Sequence, residues 1–323
     1  MKGRIACALA ACIAAAAAPY AGADFPNHPM KIIVPYPPGG ATDIVSRVAG
    51  EVLHDRLGQP VIVENRPGAD AVIGLDALAR SAPDGHTLGI MPGASLVTLP
   101  VVKKSLPFDP LADFAPLSMV FRYPQIIMVN SELPVKSLAE LIAYVRANPG
   151  KVNRAVVGTG SMLQSTMTDV ALGIQGQTVI VNYKGSSLSA TAMQSNEVQL
   201  MNMDPTLGLP ALKSGKVRAL AVTTPQRLAV LPDVPTVAEA ASPAFELTSV
   251  FGFFAPAKTP RETVQKLSEE FAAMAKSGPV NDYIVNKIGA MPVGSSAEEF
   301  GQWLRTDFAR EKAAAQVAKV QPE

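Results

Sequence analysis

Two short stretches hold the residue types best suited to chemistry: "VPYPPGGATD" at residues 34–43 and "GTGSMLQST" at 158–166. Each follows an apolar, β-branched run and precedes apolar residues at helical spacing, so each reads as a strand-to-helix turn. The first amides of a helix lack internal partners, and the aligned peptide dipoles place partial positive charge there. A carboxylate can dock on such amides without an arginine or lysine. Glycine lets it approach closely, and the hydroxyls of Thr42, Thr159 and Ser161 add donors. Charge-assisted hydrogen bonds contribute roughly 1.5–3 kcal/mol each, so three or four offset the desolvation of a small anion. Ordinary tight turns select the same residues, and the two stretches leave both readings open.

Other chemistries have less to build on. His28, His54 and His86 share no metal-ligand spacing; His54 reads as part of a solvated helix face and His86 as a surface group in a turn. There is no G-x-S-x-G elbow, and both cysteines, Cys7 and Cys12, fall in the first 23 residues. Serine or aspartate nucleophiles have no evident base. Gly158-Thr159-Gly160 opens like a dinucleotide fingerprint, but Leu163 stands where the third glycine belongs, and no Lys-Ser/Thr follows. The expectation is therefore a non-enzyme with no catalytic residue, cofactor or metal.

Lys2 and Arg4, an apolar run at 5–18 and the small residues Ala21-Gly22-Ala23 form a secretory leader that predicts Asp24 as the mature start. The run is short for a membrane span. A second reading takes Leu9-Ala10-Ala11-Cys12 as a lipoprotein box with Cys12 lipidated. Beyond residue 23 the chain has no thiol, so its stability rests on its apolar core. Of 28 basic residues, Lys2 and Arg4 lie in the leader, leaving 26 against 27 acidic ones. That balance argues against a nucleic-acid or membrane-surface partner, and aromatics at 6% disfavour stacking platforms.

Several elements must position the turns. Residues 32–34, 61–63 and 87–91 read as strands, with a helix at 44–57 stopped by Gly58 and another after Asp70 as N-cap. The middle resembles a second copy, with strands at 125–129, 155–157, 178–181, 198–201 and 219–223 and a helix at 137–147. A long strand within 245–260 returns to the first part, followed by helices at 261–276 and 297–310 with a short strand at 290–294 between them. Buried strands alternating with helices imply parallel sheets covered on both faces. Some 300 residues exceed a comfortable single core, so we expect two lobes: 24–122 with 250–323, and 123–249.

The stretch from "IIVPYPPGGATDIVSRVAGEVLHDRLGQPVIVENRPGADAVIG" to "SAPDGHTLGIM" resembles the substrate-binding proteins of tripartite tricarboxylate transporters, the Bug or TctC family. The likeness continues through "LPFDPLADFAPLSMV", "KSLAELIAYVRANPGKVN", "VNYKGSS", "KSGKVRALAVTTPQRLAVLPDVPTVAEA" and "FFAPAKTPRETVQKL". It implies an α/β, two-lobed type II periplasmic binding protein fold, each lobe a mixed, mainly parallel sheet flanked by helices. The expected protein is a periplasmic monomer that closes on a small carboxylate and delivers it to a permease with one large and one small subunit. Some relatives present ligands to sensor kinases, which keeps a sensing role as the alternative; an exported enzyme comes third.

Carried over by position, the site would comprise Pro38, Gly39, Gly40, Thr42 and Asp43, then Ala69 and Asp70, then Ser95. The second lobe would add Thr159, Gly160, Ser161, Gln164, Tyr183, Lys184 and Asp204. Asp43 reads equally as a cap on helix amides, Lys184 as a surface charge, and Arg66 as the partner of Glu64. The chain departs from the family at Pro67-Gly68-Ala69-Asp70-Ala71, where relatives commonly read "PGAGG", and at Gln164 and Leu96, where histidine is common. A carboxylate at Asp70 would accept from a ligand amine or hydroxyl, repel a second carboxylate, or simply cap its helix.

Overall fold

The structure, a computed structural model, describes residues 25–317 apart from 70, 184 and 244. The leader and the expectations for Asp70 and Lys184 lie outside the described residues.

The first part runs β1 (Met30–Val34), α1 (Ala41–Leu57), β2 (Val61–Asn65), α2 (Val72–Ala79), β3 (Thr87–Pro92), α3 (Gly93–Val102) and β4 (Phe114–Pro124). The middle runs β5 (Ile126–Asn130), α4 (Leu138–Ala147), β6 (Asn153–Val157), α5 (Gly158–Leu172), β7 (Val179–Tyr183), α6 (Ser186–Gln194) and β8 (Leu200–Met203). It continues through α7 (Pro205–Lys213), β9 (Val217–Val222) and α8 (Val237–Ala240). The last part is β10 (Thr248–Pro256), α9 (Arg261–Ala275), α10 (Gly278–Asp282) running into a π-helical turn (Tyr283–Lys287), β11 (Met291–Pro292) and α11 (Ala297–Val317).

Two sheets form among the described residues, ordered β11-β4-β10-β3-β1-β2 and β7-β6-β8-β5-β9. The α/β, two-lobed arrangement with mixed sheets agrees with expectation. The share of parallel pairing is smaller than expected: β1 pairs parallel with β2 and β3, and β6 with β7 and β8, but the remaining neighbours are antiparallel. The cause lies in the strands that pass between the sheets. Strand β10 enters the first sheet against the direction of β3 and β4, and β5 enters the second against β8 and β9.

Side-chain alternation decides the layers of the first sheet. Ile32 and Val34 pack with Val45, Ala49 and Leu53 of α1 and with Phe271 of α9, whereas Ile33 packs with Leu75 and Leu78 of α2 and Phe300 of α11. Phe253 and Phe254 split between the same two layers. Gly58 ends α1 as expected, in the left-handed region at φ 71° with its N–H on the His54 carbonyl. Ser137 starts α4 by accepting from the Glu140 N–H.

Candidate functional site

In each sheet the parallel strands carry their following helices at their carboxyl ends. The order β3-β1-β2 makes the chain leave β1 toward opposite neighbours, and β7-β6-β8 does the same around β6. In open α/β sheets, ligands sit outside the carboxyl ends of the strands at such switch points. The turns there are β1–α1, β2–α2 and β3–α3 in one sheet, and β6–α5, β7–α6 and β8–α7 in the other. Among the described residues, every expected site residue except Tyr183, which ends β7, falls in one of these turns or in the first two turns of the helix after it.

The helix starts differ in whether their amides are already used. No side chain caps α1 at Gly40, α2 at Ala71, α3 at Pro92, α5 at Val157 or α6 at Gly185. Elsewhere Ser137 caps α4, and Thr236 with Glu239 forms a capping box on α8. Helix α9, outside these turns, also starts uncapped. At these five starts the cap position itself supplies no side-chain acceptor, which suits an incoming anion.

Asp43 is the structural centre of the first turn. Its Oδ2 accepts from the Gly39 N–H at 2.9 Å and from Arg47 Nε at 3.2 Å, while Oδ1 accepts from Arg47 Nη2 at 2.8 Å and Asn65 Nδ2 at 3.0 Å. Asn65 Nδ2 also donates to the Tyr36 carbonyl at 3.1 Å, tying the β1 turn to the end of β2. Burial alone would raise the Asp43 carboxyl, but hydrogen bonds from Arg47, Gly39 and Asn65 outweigh it and hold the group below its ordinary range. With both oxygens occupied, Asp43 holds the turn in shape. Gly39 sits at φ 88° and, with Pro38 and Gly40, is exposed; Thr42 is buried behind them. Ser95, in the first turn of α3, meets the Tyr36 hydroxyl at 3.1 Å, which joins the β1 and β3 turns across the switch point. Exposed Ala69 lies at φ 48° and Ala71 at φ 76°, so two alanines occupy left-handed backbone where glycine costs less. Arg66 Nε donates to Glu64 Oε1, as expected.

In the second sheet the backbone of Thr159, Gly160 and Ser161 forms the first turn of α5. One turn on, Gln164 Nε2 donates to Ser249 Oγ of β10 at 3.3 Å, linking α5 to the strand that crosses between the sheets. Asp204 caps α7: Oδ1 accepts from the Leu207 N–H at 3.2 Å, from Thr206 and from the Tyr123 hydroxyl at 3.4 Å. That start is closed by its own carboxylate, so Asp204 acts as a cap rather than as an open donor site. Burial and then the Asp204 charge push the Tyr123 phenol well above its usual range. Tyr183 stands apart, its hydroxyl donating to Glu197 Oε1 at 2.7 Å; burial and Glu197 push it up to about 12.

Tyr36, Asn65, Tyr123 and Ser249 are the participants that sequence reasoning missed. Tyr36 sat within the quoted turn and was legible; the others join it only through tertiary contacts. Away from these turns, His28, Asp84 and His86 meet, with ligand atoms within 4.8 Å of one another. The two imidazoles stack at 3.5 Å and 17°, and lone pairs lying in parallel ring planes do not converge on one ion without unstacking. His86 is buried rather than at the surface, because Phe25 and His28 cover it.

The model of the Tripartite tricarboxylate transporter family receptor (TctC) matches residues 45–319. Protein BugT of Bordetella pertussis is 34% identical over 296 residues, covering 89% of this chain and 90% of that one. Among solved structures, R. palustris Rpa4515 with adipate is 31% identical with a TM-score of 0.76, covering 93% of this chain and 100% of that one. MatC (Rpa3494) from Rhodopseudomonas palustris with bound malate is 28% identical with a TM-score of 0.70, covering 90% and 99% respectively.

Proposed function

The chain belongs to the tripartite tricarboxylate transporter receptor family, and we propose that it captures a small carboxylate between two lobes and delivers it to a tripartite tricarboxylate-type permease. One solved relative is a periplasmic binding protein, and two others carry the dicarboxylates adipate and malate. The observation that carries the reading for this chain is the set of uncapped helix starts at both switch points. In our reading the lobes are 24–122 with 250–323, and 123–249, and the leader at 1–23 is cleaved on export.

Pro38, Gly39, Gly40, Ala69 and Ser95 form one jaw, and Thr159, Gly160, Ser161 and Gln164 the other. Asp43 and Asp204 shape the jaws from behind. Closure on a ligand requires contacts that exist only when both jaws engage it, so each lobe must contribute binding free energy.

A thermal-shift panel of dicarboxylates, citrate-like acids, aromatic carboxylates and amino acids tests the assignment. A ligand at 100 times its dissociation constant adds about 2.7 kcal/mol of stability. A panel with no hit removes the support for carboxylate capture. Ser161→Ala should weaken binding of the hit while the first jaw is intact, and full retained affinity would refute the two-jaw site.

A further inference from the structure

Helix α11 carries two inward-facing carboxyls one turn apart. Asp307 and Glu311 are 8% and 3% exposed. With Ala314 and Ala315 they form one stripe along the helix. The alanines pack with Leu163 and Met167 of α5, with Val102 of α3, and with Leu247 just before β10. The carboxyl pair therefore lies beside the seam where helices of the two sheets meet.

The charged and polar groups facing the pair do not neutralise it. On α11 itself, Arg310 Nη1 is 3.4 Å from Asp307 Oδ1 and also donates to the Glu246 carbonyl at 3.3 Å. From α3, Thr98 hydrogen-bonds the Glu311 carboxyl. Glu246, on the segment entering β10, adds a further negative charge toward Asp307 and is itself ion-paired with Arg122 of β4. From α5, apolar Leu163 and Met167 pack on the neighbouring Ala314 and Ala315 of α11. Helix α9 meets α11 at its far end, where Ser268 Oγ accepts from the Ala297 N–H. Glu311 Oε2 is buried with no hydrogen-bond partner. A bare, buried carboxylate oxygen beside a second carboxylate is costly, and a proton on the pair relieves the cost. Burial first, then the Asp307 charge, push Glu311 up to about 7, while burial lifts Asp307 to about 6 against the pull of Arg310. The Asp307 charge thus adds to the cost of ionising Glu311.

We propose that Asp307 and Glu311 form a proton-operated joint: the pair holds a proton while α5 is seated on α11 and releases it to solvent when α5 moves away. The inference rests on the capture reading, because α5 is the helix whose first turns, at Ser161 and Gln164, form the second jaw. A seated pair binds protons more tightly than a wetted one. Closure therefore takes up a proton, is favoured as pH falls through about 7, and is disfavoured as pH rises. One proton changes the closed-to-open ratio by at most about tenfold per pH unit.

The test reads the distance between the lobes with no acid present, so its outcome is separate from whether any carboxylate binds. Both native cysteines lie at positions 7 and 12, so Ile73→Cys and Leu188→Cys introduce specific spin-label sites in the exported chain. These positions, on the first turns of α2 and α6, are 53% and 60% exposed. The short-distance population should grow severalfold between pH 8 and pH 5.5. Glu311→Gln should hold the low-pH distribution at both values. A pH-independent distribution in the parent, or an identical pH response in Glu311→Gln, overturns the proposal. If Glu311→Gln does not fold, Asp307→Asn carries the same test, and a response undiminished from the parent's overturns it equally.

Discussion

Arg154 offers the sharpest test of how the second jaw is held. It is fully buried on β6, and its Nη2 donates to Asp169 Oδ1 of α5 at 2.6 Å while Nη1 donates to Asn202 Oδ1 of β8 at 3.1 Å. Asn202 Nδ2 donates onward to Thr168 Oγ1 at 3.0 Å, and Thr178 Oγ1 donates to Asp169 Oδ2 at 3.3 Å. Burial works against both charges, pulling the guanidinium down and the carboxyl up, and each is opposed by the partner charge. Asp169→Asn keeps the shape and removes the negative charge, leaving a buried guanidinium whose Nε already has no partner. Breaking a buried pair from one side costs about 3–5 kcal/mol, or two to nearly four orders of magnitude in the folding equilibrium. Replacing both members by apolar residues, Arg154→Met with Asp169→Leu, removes the stranded charge and should be near neutral or stabilising by about 1–4 kcal/mol. Urea unfolding followed by far-UV circular dichroism measures both. The single tryptophan, Trp303, packs beside the first sheet, so its fluorescence reports the other lobe and serves as an internal control. Less than about 1 kcal/mol lost in Asp169→Asn, or a double variant as unstable as the single one, would refute the reasoning.

Three further outcomes are expected. Asp43→Asn should destabilise by about 1–3 kcal/mol at neutral pH and loosen the first jaw. Because the folded carboxyl is depressed, its contribution is present above the unfolded value of 3.8 and is lost as pH falls through the folded one, so acid melting curves of parent and variant should converge. Ala69→Gly should add about 0.5–1 kcal/mol in denaturant unfolding by relieving its left-handed backbone; a loss would mean the methyl is needed there. Burial and then the His28 charge hold His86 below its ordinary 6.5, so the unfolded chain takes its proton first and stability falls as pH drops below 6.5. His86→Gln should flatten that part of the melting-temperature profile, and an unchanged slope would assign it to other groups.

Periodicity made the local elements legible. The apolar spacing of Val45, Ala49 and Leu53 and the stop at Gly58 placed α1, and the long apolar stretch around Phe253 placed β10. Strand β4 escaped notice because Pro116 and Pro124 interrupt its pattern, and α3 because Pro100 lies inside it, where proline removes a helical donor. Helix α10 and the π-helical turn after it carry no periodic signal long enough to read. At the site, glycine turns announced themselves by type. What the sequence could not show was which carboxylates are already spent: Asp43 on Gly39, Arg47 and Asn65, and Asp204 on the start of α7. Those assignments depend on partners up to 81 residues away, as in the Tyr123–Asp204 contact.

The sheet orders also set a timetable for synthesis. Every strand of the second sheet lies between residues 126 and 222, so it can assemble from one continuous piece of chain as soon as that piece emerges. The first sheet cannot. Its strand β10 lies between β3 and β4, yet is made more than a hundred residues after either. Until residue 256 is available, β3 and β4 each keep an open edge, and Ile33 and Phe114 wait for layers that include Phe254 and Phe300. The half of the molecule that begins first is thus the half that finishes last, and the interval between is when a nascent chain is most exposed to mispairing.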